Sequence, residues 1–116
     1  MELVSATTAL AALGHPTRLS VFRLLVEAGH EGRTPGEIAE VLSLAGATLS
    51  FHLKELTTAG LIQGESQGRH IRYRADFDAM TGLIGFLTRN CCGGDQGRCL
   101  PGSAPSPTSA TKEGKT

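Results

Sequence analysis

Three cysteines, Cys91, Cys92 and Cys99, stand within nine residues near the end of this 116-residue chain, and the rest of it has none. Thiolates are soft ligands that select thiophilic centres. Trivalent arsenic and antimony take three sulfurs in a pyramid with a lone pair at the apex, and three cysteines without a fourth protein ligand match that demand. Cys91 and Cys92 are adjacent, and six residues with three glycines, Gly93 to Arg98, separate them from Cys99. Fully extended, the step from Cys92 to Cys99 spans about 23 Å, so closing all three sulfurs on one ion requires a turn, which glycine makes sterically cheap. Zinc, cadmium or lead compete for the same thiols. A closed zinc site wants four tetrahedral ligands, typically with CxxC-like spacing, whereas Asp95 is the one carboxylate between these cysteines and His70 the nearest histidine. A thiol redox switch is the third reading. Three incidental cysteines are the plain alternative, weakened because exposed free thiols are a liability.

A chain of this length supports one domain. No apolar run reaches the length needed to cross a membrane, and Met1-Glu2-Leu3 lacks the basic start and apolar stretch of a secretory signal. The expected location is the cytoplasm, where clustered thiols stay reduced and serve as ligands or sensors rather than staples. Formal net charge is zero, from 11 basic and 11 acidic residues, less basic than nucleic-acid binders usually are. The local balance differs: from Lys54 to Arg74 the basic residues are Lys54, Arg69, Arg72 and Arg74, against Glu55 and Glu65.

Residues 3–13 are apolar on nearly all sides and read as a short helix that needs cover, for which a second copy of the chain is the expected source. Gly14-His15-Pro16 breaks it and starts a second helix, with proline in the first turn and Val21, Leu24, Leu25 and Ala28 on one face up to Gly29. Thr34-Pro35-Gly36-Glu37 is a capping box opening a third helix whose inner face is Ile38, Ala39, Val41 and Leu42. Ser43 to Gly46 reads as a turn, and a fourth helix is expected from about Ala47 to Ala59 with Leu49, Leu53 and Leu56 inward and Thr48, Ser50, His52, Lys54 and Glu55 off that stripe. Phe51 fits either the core edge or a groove-facing position. Leu61-Ile62 opens a strand, turn chemistry is expected between Gly64 and Gly68, and Ile71, Tyr73 and Ala75 alternate with Arg72 and Arg74, which makes a hairpin. Asp76 caps a fifth helix with Phe77, Met80, Leu83, Ile84, Phe86 and Leu87, a face wide enough to call for a partner helix. His15 is expected to cap or pack at a helix start, with His30 and His70 exposed.

Two helices joined by a short turn and followed by a basic two-stranded ribbon make a winged helix-turn-helix. The expected fold is therefore mostly α with a β-hairpin wing. A helix of this kind fits the major groove, where its N-terminal side chains reach base edges. The organisation is read as a DNA-binding and dimerisation domain over 1–90, a thiol segment over 91–99, and a disordered tail over 100–116, rich in Pro, Gly, Ser, Ala, Thr and Lys.

The strings "ALGHPTRLSVFRLL", "TPGEIAEVL" with "ATLSFHLKELTTAGLI", and "GRHIRYRAD" resemble, in order, the second helix, the helix-turn-helix and the wing of the ArsR/SmtB family of metal-responsive repressors, over roughly residues 3–90. The resemblance implies a homodimer packed through its first and last helices, bound to palindromic double-stranded operator DNA and released when a metal or metalloid binds. It implies Thr48, Ser50 and His52 toward bases, and Lys54, Arg69 and Arg72 toward phosphates. It departs from the best-known arsenic-responsive members, which carry a Cys-Val-Cys-type motif on the third helix, where this chain has no cysteine. The spacing Cys91-Cys92, then Cys99, resembles instead the arsenite repressors of acidophilic and related bacteria. The expected effector is As(III) or Sb(III) on Cys91, Cys92 and Cys99, with no cofactor required and no catalysis. A thiol oxidoreductase would need a low-pKa nucleophile, often in a CxxC motif on a βαβ scaffold, and the sequence has neither.

Overall fold

The computed structural model describes residues 1–94. Its contacts divide the chain into a compact unit, Met1–Leu83, and a second that begins at Ile84. The expected tail at 100–116, and most of the expected thiol segment, lie outside the described residues. Among the described residues no helix is long and apolar enough to cross a membrane.

The elements run α1 (Leu3–Leu13), α2 (Pro16–Ala28), a 3₁₀ turn (Gly29–Glu31), α3 (Pro35–Leu42), α4 (Gly46–Thr58), β1 (Ile62–Gln67), β2 (His70–Ala75) and α5 (Phe77–Thr88), with a last 3₁₀ turn at Cys91–Gly94. Local chemistry explains the boundaries. Pro16 starts α2, where the backbone N–H of Thr17 donates to His15 Nδ1 at 3.1 Å, satisfying one of the orphan donors of the first turn. The capping box of α3 is complete: Glu37 N–H donates to Thr34 Oγ1 at 3.3 Å, and Thr34 N–H donates to Glu37 Oε1 at 2.9 Å. A three-residue turn, Ser43 to Ala45, joins α3 to α4, with Ser43 left-handed at φ 56°. At the far end of α4, Gly60 takes φ 80°, its N–H donating to the Thr57 carbonyl and that of Leu61 to the Leu56 carbonyl. That bond pair is a Schellman cap, and it needs a residue free to enter the left-handed region.

The hairpin is antiparallel, in register from Ile62 opposite Ala75 to Gln67 opposite His70. The reversal is the two-residue connection Gly68-Arg69, with Gly68 at φ 65°, a shape suited to the twist of paired strands. The turn thus lies later than expected, because β1 continues through Gly64. That glycine faces Tyr73, whose ring covers it so closely that a Cβ would lie 2.9 Å from the ring. Arg33 pairs with Tyr73 through two backbone hydrogen bonds of 2.8 and 2.9 Å and ties the approach to α3 onto the sheet.

The core of the first unit holds Val21, Leu25, Ile38, Leu49, Leu56, Leu61 and Ile62, each essentially fully buried. Burying one such side chain stabilises by about 1.5–3 kcal/mol. Within this unit α2 and α4 pack on each other and on α1 and α3, while the strands pack against α2, α3 and α4. Of α1, only Ala6 and Ala9 are buried, and Leu3, Val4 and Leu10 are exposed.

Candidate nucleic-acid interface and thiol segment

The position of each side chain on α4 follows from the 3.6-residue period. Leu49, Leu53 and Leu56 face the core, as expected, and Thr48, Ser50 and Lys54 are exposed on the outward side. The wing continues this polar surface at its tip, where Arg69 and His70 are exposed. Between α4 and the wing lies a groove of about 410 Å³ whose lining includes Ser50, Lys54, Thr57, Ile71 and Tyr73. Short hydroxyl side chains, a lysine and an arginine-bearing loop can meet base edges and phosphates.

His52 does not belong to that surface. It is 6 % exposed and lies on the buried stripe, one turn after Leu49 and one turn before Leu56. Its ring centroid lies 4.8 Å from that of His15. Its Nδ1 is buried and finds no hydrogen-bond partner among the described residues. Burial holds its pKa below the ordinary histidine value, aided by positive charge on His15 and Arg18 and opposed by Glu55. The expectation that His52 reaches bases is therefore corrected. The helical period itself carried the signal, since 49, 52, 53 and 56 form one continuous stripe.

Arg72, expected toward phosphates, also has partners within the fold. Its Nε donates to Gln67 Oε1 at 3.3 Å, and its Nη1 donates to the carbonyls of Glu31 and Gly32 at 3.3 and 3.4 Å and lies 3.9 Å from Glu37. This guanidinium pins the wing to the α2–α3 connection. Gly32 is required there: at φ 69°, a Cβ would run into the Tyr73 carbonyl and the Arg74 side chain. Glu37 is held below the usual carboxylate range, first by the Thr34 backbone N–H and then by Arg72 and Arg33, against desolvation. Arg74 pairs with Glu65 at 2.8 Å; on α4 and the wing, Arg69 and Lys54 are exposed basic side chains outside the ion pairs described.

In the second unit, α5 ends with exposed Ile84 and Leu87, and Arg89 lies 5.1 Å from the centroid of the Phe86 ring. Beyond it the backbone turns sharply through left-handed Asn90 (φ 60°), Cys92 (φ 53°) and Gly93 (φ 67°). Cys91 Sγ and Cys92 Sγ lie 3.7 Å apart. That is ordinary contact between the sulfurs of adjacent residues, and Cys92 is itself disulfide-bonded. Cys99, the third expected ligand, lies outside the described residues. Among the described residues no group of three or more His, Cys, Asp or Glu could hold a metal ion.

Comparison with known proteins agrees with this geometry. A family model described as a helix-turn-helix domain matches residues 13–65. The uncharacterized HTH-type transcriptional regulator YdfF of Bacillus subtilis (strain 168) is 41% identical over 70 residues, covering 58% of this chain and 29% of that protein. The chain thus spans under a third of the length of that relative. An ArsR-like transcriptional regulator from Rhodococcus sp. RHA1 superposes with a TM-score of 0.68 at 26% identity, covering 80% of this chain and 85% of that one. A structure described as a "possible transcriptional regulator for arsenical resistance" superposes at 0.61 with 27% identity, covering 76% and 90%. The architecture of α3, turn, α4 and wing is that of a winged helix-turn-helix, and the chain is similar in fold to ArsR-like regulators.

Proposed function

We propose that this chain is a cytoplasmic transcriptional repressor that binds palindromic double-stranded operator DNA as a homodimer. Arsenite or antimonite on Cys91, Cys92 and Cys99 releases it. The observation that carries the DNA-binding part is the outward face of α4, where Thr48, Ser50 and Lys54 are exposed beside the wing while the opposite face is locked in the core. Arg69 at the wing tip extends the phosphate contact. The dimer reading is supported by the apolar residues that α1 and α5 each leave exposed, Val4 at 71% among them.

The metalloid reading rests on thiol chemistry and on the close spacing of Cys91, Cys92 and Cys99 along the chain. Two half-sites on DNA are about 34–36 Å apart, so a small change in the spacing of two recognition helices costs affinity. Ordering the thiol segment around an ion, at the end of the helix that packs the dimer, supplies such a change. A coupling of about 1–3 kcal/mol, or roughly 5–150-fold, is the usual scale, and it is reciprocal: operator DNA weakens metalloid binding by the same factor.

The test is fluorescence anisotropy of labelled upstream DNA with the reduced full-length chain, titrated with arsenite and separately with zinc. It is repeated with Cys91→Ser, Cys92→Ser and Cys99→Ser. Release by arsenite but not zinc, lost in each variant, is the expected result. Tight DNA binding that arsenite leaves unchanged would overturn the metalloid part alone. Release by zinc, or by oxidant without any ion, would assign the thiols to another signal.

A further inference from the structure

Phe51 is 56% exposed on a helix whose other large apolar side chains point inward. At about 100° per residue it lies about 150° from the centre of the stripe formed by Leu49, His52, Leu53 and Leu56, near the middle of the outward face. Thr48 precedes it by one turn and Lys54 follows by one turn, both exposed. Its ring meets the ring of His52 edge-on, with centroids 5.5 Å apart. The buried histidine thus backs the base of the phenylalanine while leaving most of its ring in solvent.

An exposed phenylalanine invites a partner, and its neighbours indicate which. A protein-docking face is a contiguous apolar patch. Around Phe51 the outward face of α4 carries Ala47, Thr48, Ser50, Lys54, Glu55 and Thr58, with no second large apolar side chain. One aromatic ring among short polar groups suits a surface that is polar with a single apolar feature. The edge of a base pair in the major groove is such a surface, and its apolar feature is the 5-methyl group of thymine.

We propose that Phe51 is a specificity-determining residue that reads a thymine methyl group in each half-site of the operator. This rests on the DNA-binding reading above. The remaining exposed groups of α4 do not duplicate the contact: Ser50 and Thr48 offer hydroxyls, and Lys54 an ammonium.

The experiment selects duplexes from a random-sequence pool with the full-length chain. It then replaces each thymine of the selected duplex, one at a time, by deoxyuridine, which lacks only that methyl. Wild-type protein is expected to lose about 3–10-fold in affinity at one position per half-site. Phe51→Ala is expected to bind the thymine and deoxyuridine duplexes equally well, with an unchanged thermal transition because the residue is exposed. Phe51→Leu, which keeps an apolar side chain, retains part of the preference. Tight binding by wild type with every thymine replacement neutral overturns the inference and leaves the DNA-binding reading standing. So does Phe51→Ala keeping the full deoxyuridine penalty. A pool that yields no preferred duplex overturns both.

Discussion

In α4, four of the thirteen residues are buried, and the leucines among them lock the direction of every exposed side chain on the helix. In the turn Cys91–Gly94, no residue is buried, two of the four are glycine, and Cys92 is left-handed. One region holds its geometry by packing, and the other has little packing around it. A surface that must match a rigid duplex gains from being pre-formed, because binding then orders little. A segment that must answer a ligand gains from having little packing to lose, because the ligand's bonds then set its shape. On the proposed function, recognition and response divide between the two regions along that line.

The contrast breaks most visibly in the core. Leu56→Ala should cost about 2–5 kcal/mol in denaturant unfolding and weaken DNA binding through loss of the folded state. Cys91→Ser should leave the unfolding midpoint within about 0.5 kcal/mol, as surface changes usually do. A destabilisation of 2 kcal/mol by Cys91→Ser would erase the distinction. In the arsenite titration the order reverses. Cys91→Ser should remove the whole coupling of about 1–3 kcal/mol, while Lys54→Ala should keep it and instead lower the salt dependence of DNA binding by about one phosphate contact.

A smaller effect sharpens the picture at the entry to the helix-turn-helix. Thr34→Ala removes one half of the α3 capping box and should cost about 1 kcal/mol, read as a lower urea midpoint at unchanged slope.

The smallest effect concerns His52. Its folded-state pKa lies below the ordinary value of 6.5, so the unfolded chain binds more protons as pH falls through that region. Stability should therefore be full above about pH 7 and decline below it, levelling off once pH falls under the lowered folded value. His52→Leu removes this group from the titration. The drop in urea midpoint between pH 7.5 and pH 5.5 should be smaller in the variant than in wild type, and an equal or larger drop would show that other groups set the acid response.

Much of this architecture was legible in the chain. The α3 capping box, the α2 start at Pro16, the stop at Gly29 and the leucines of α4 each follow from local chemistry that the structure repeats. The hairpin was legible as alternation, but its turn was not placed, since Gly64 looks like a turn residue. Only the pairing with β2 shows it as the place where the Tyr73 ring lies close. The type of Arg72 and its place in the wing say nothing of Glu31, Gly32 and Glu37, which reach it across the fold.

The sequence by itself determined the elements, the outward polar residues of α4 and the thiol cluster, because helix period, caps and soft-ligand chemistry are properties of short stretches. The tertiary structure decided which residues those elements keep for themselves. It buried His52 against His15, tied Arg72 to the α2–α3 connection and left Phe51 in solvent. The physical reason is that a side chain's role depends on what the rest of the chain places within about 4 Å of it, and those neighbours are set by packing between elements distant in sequence.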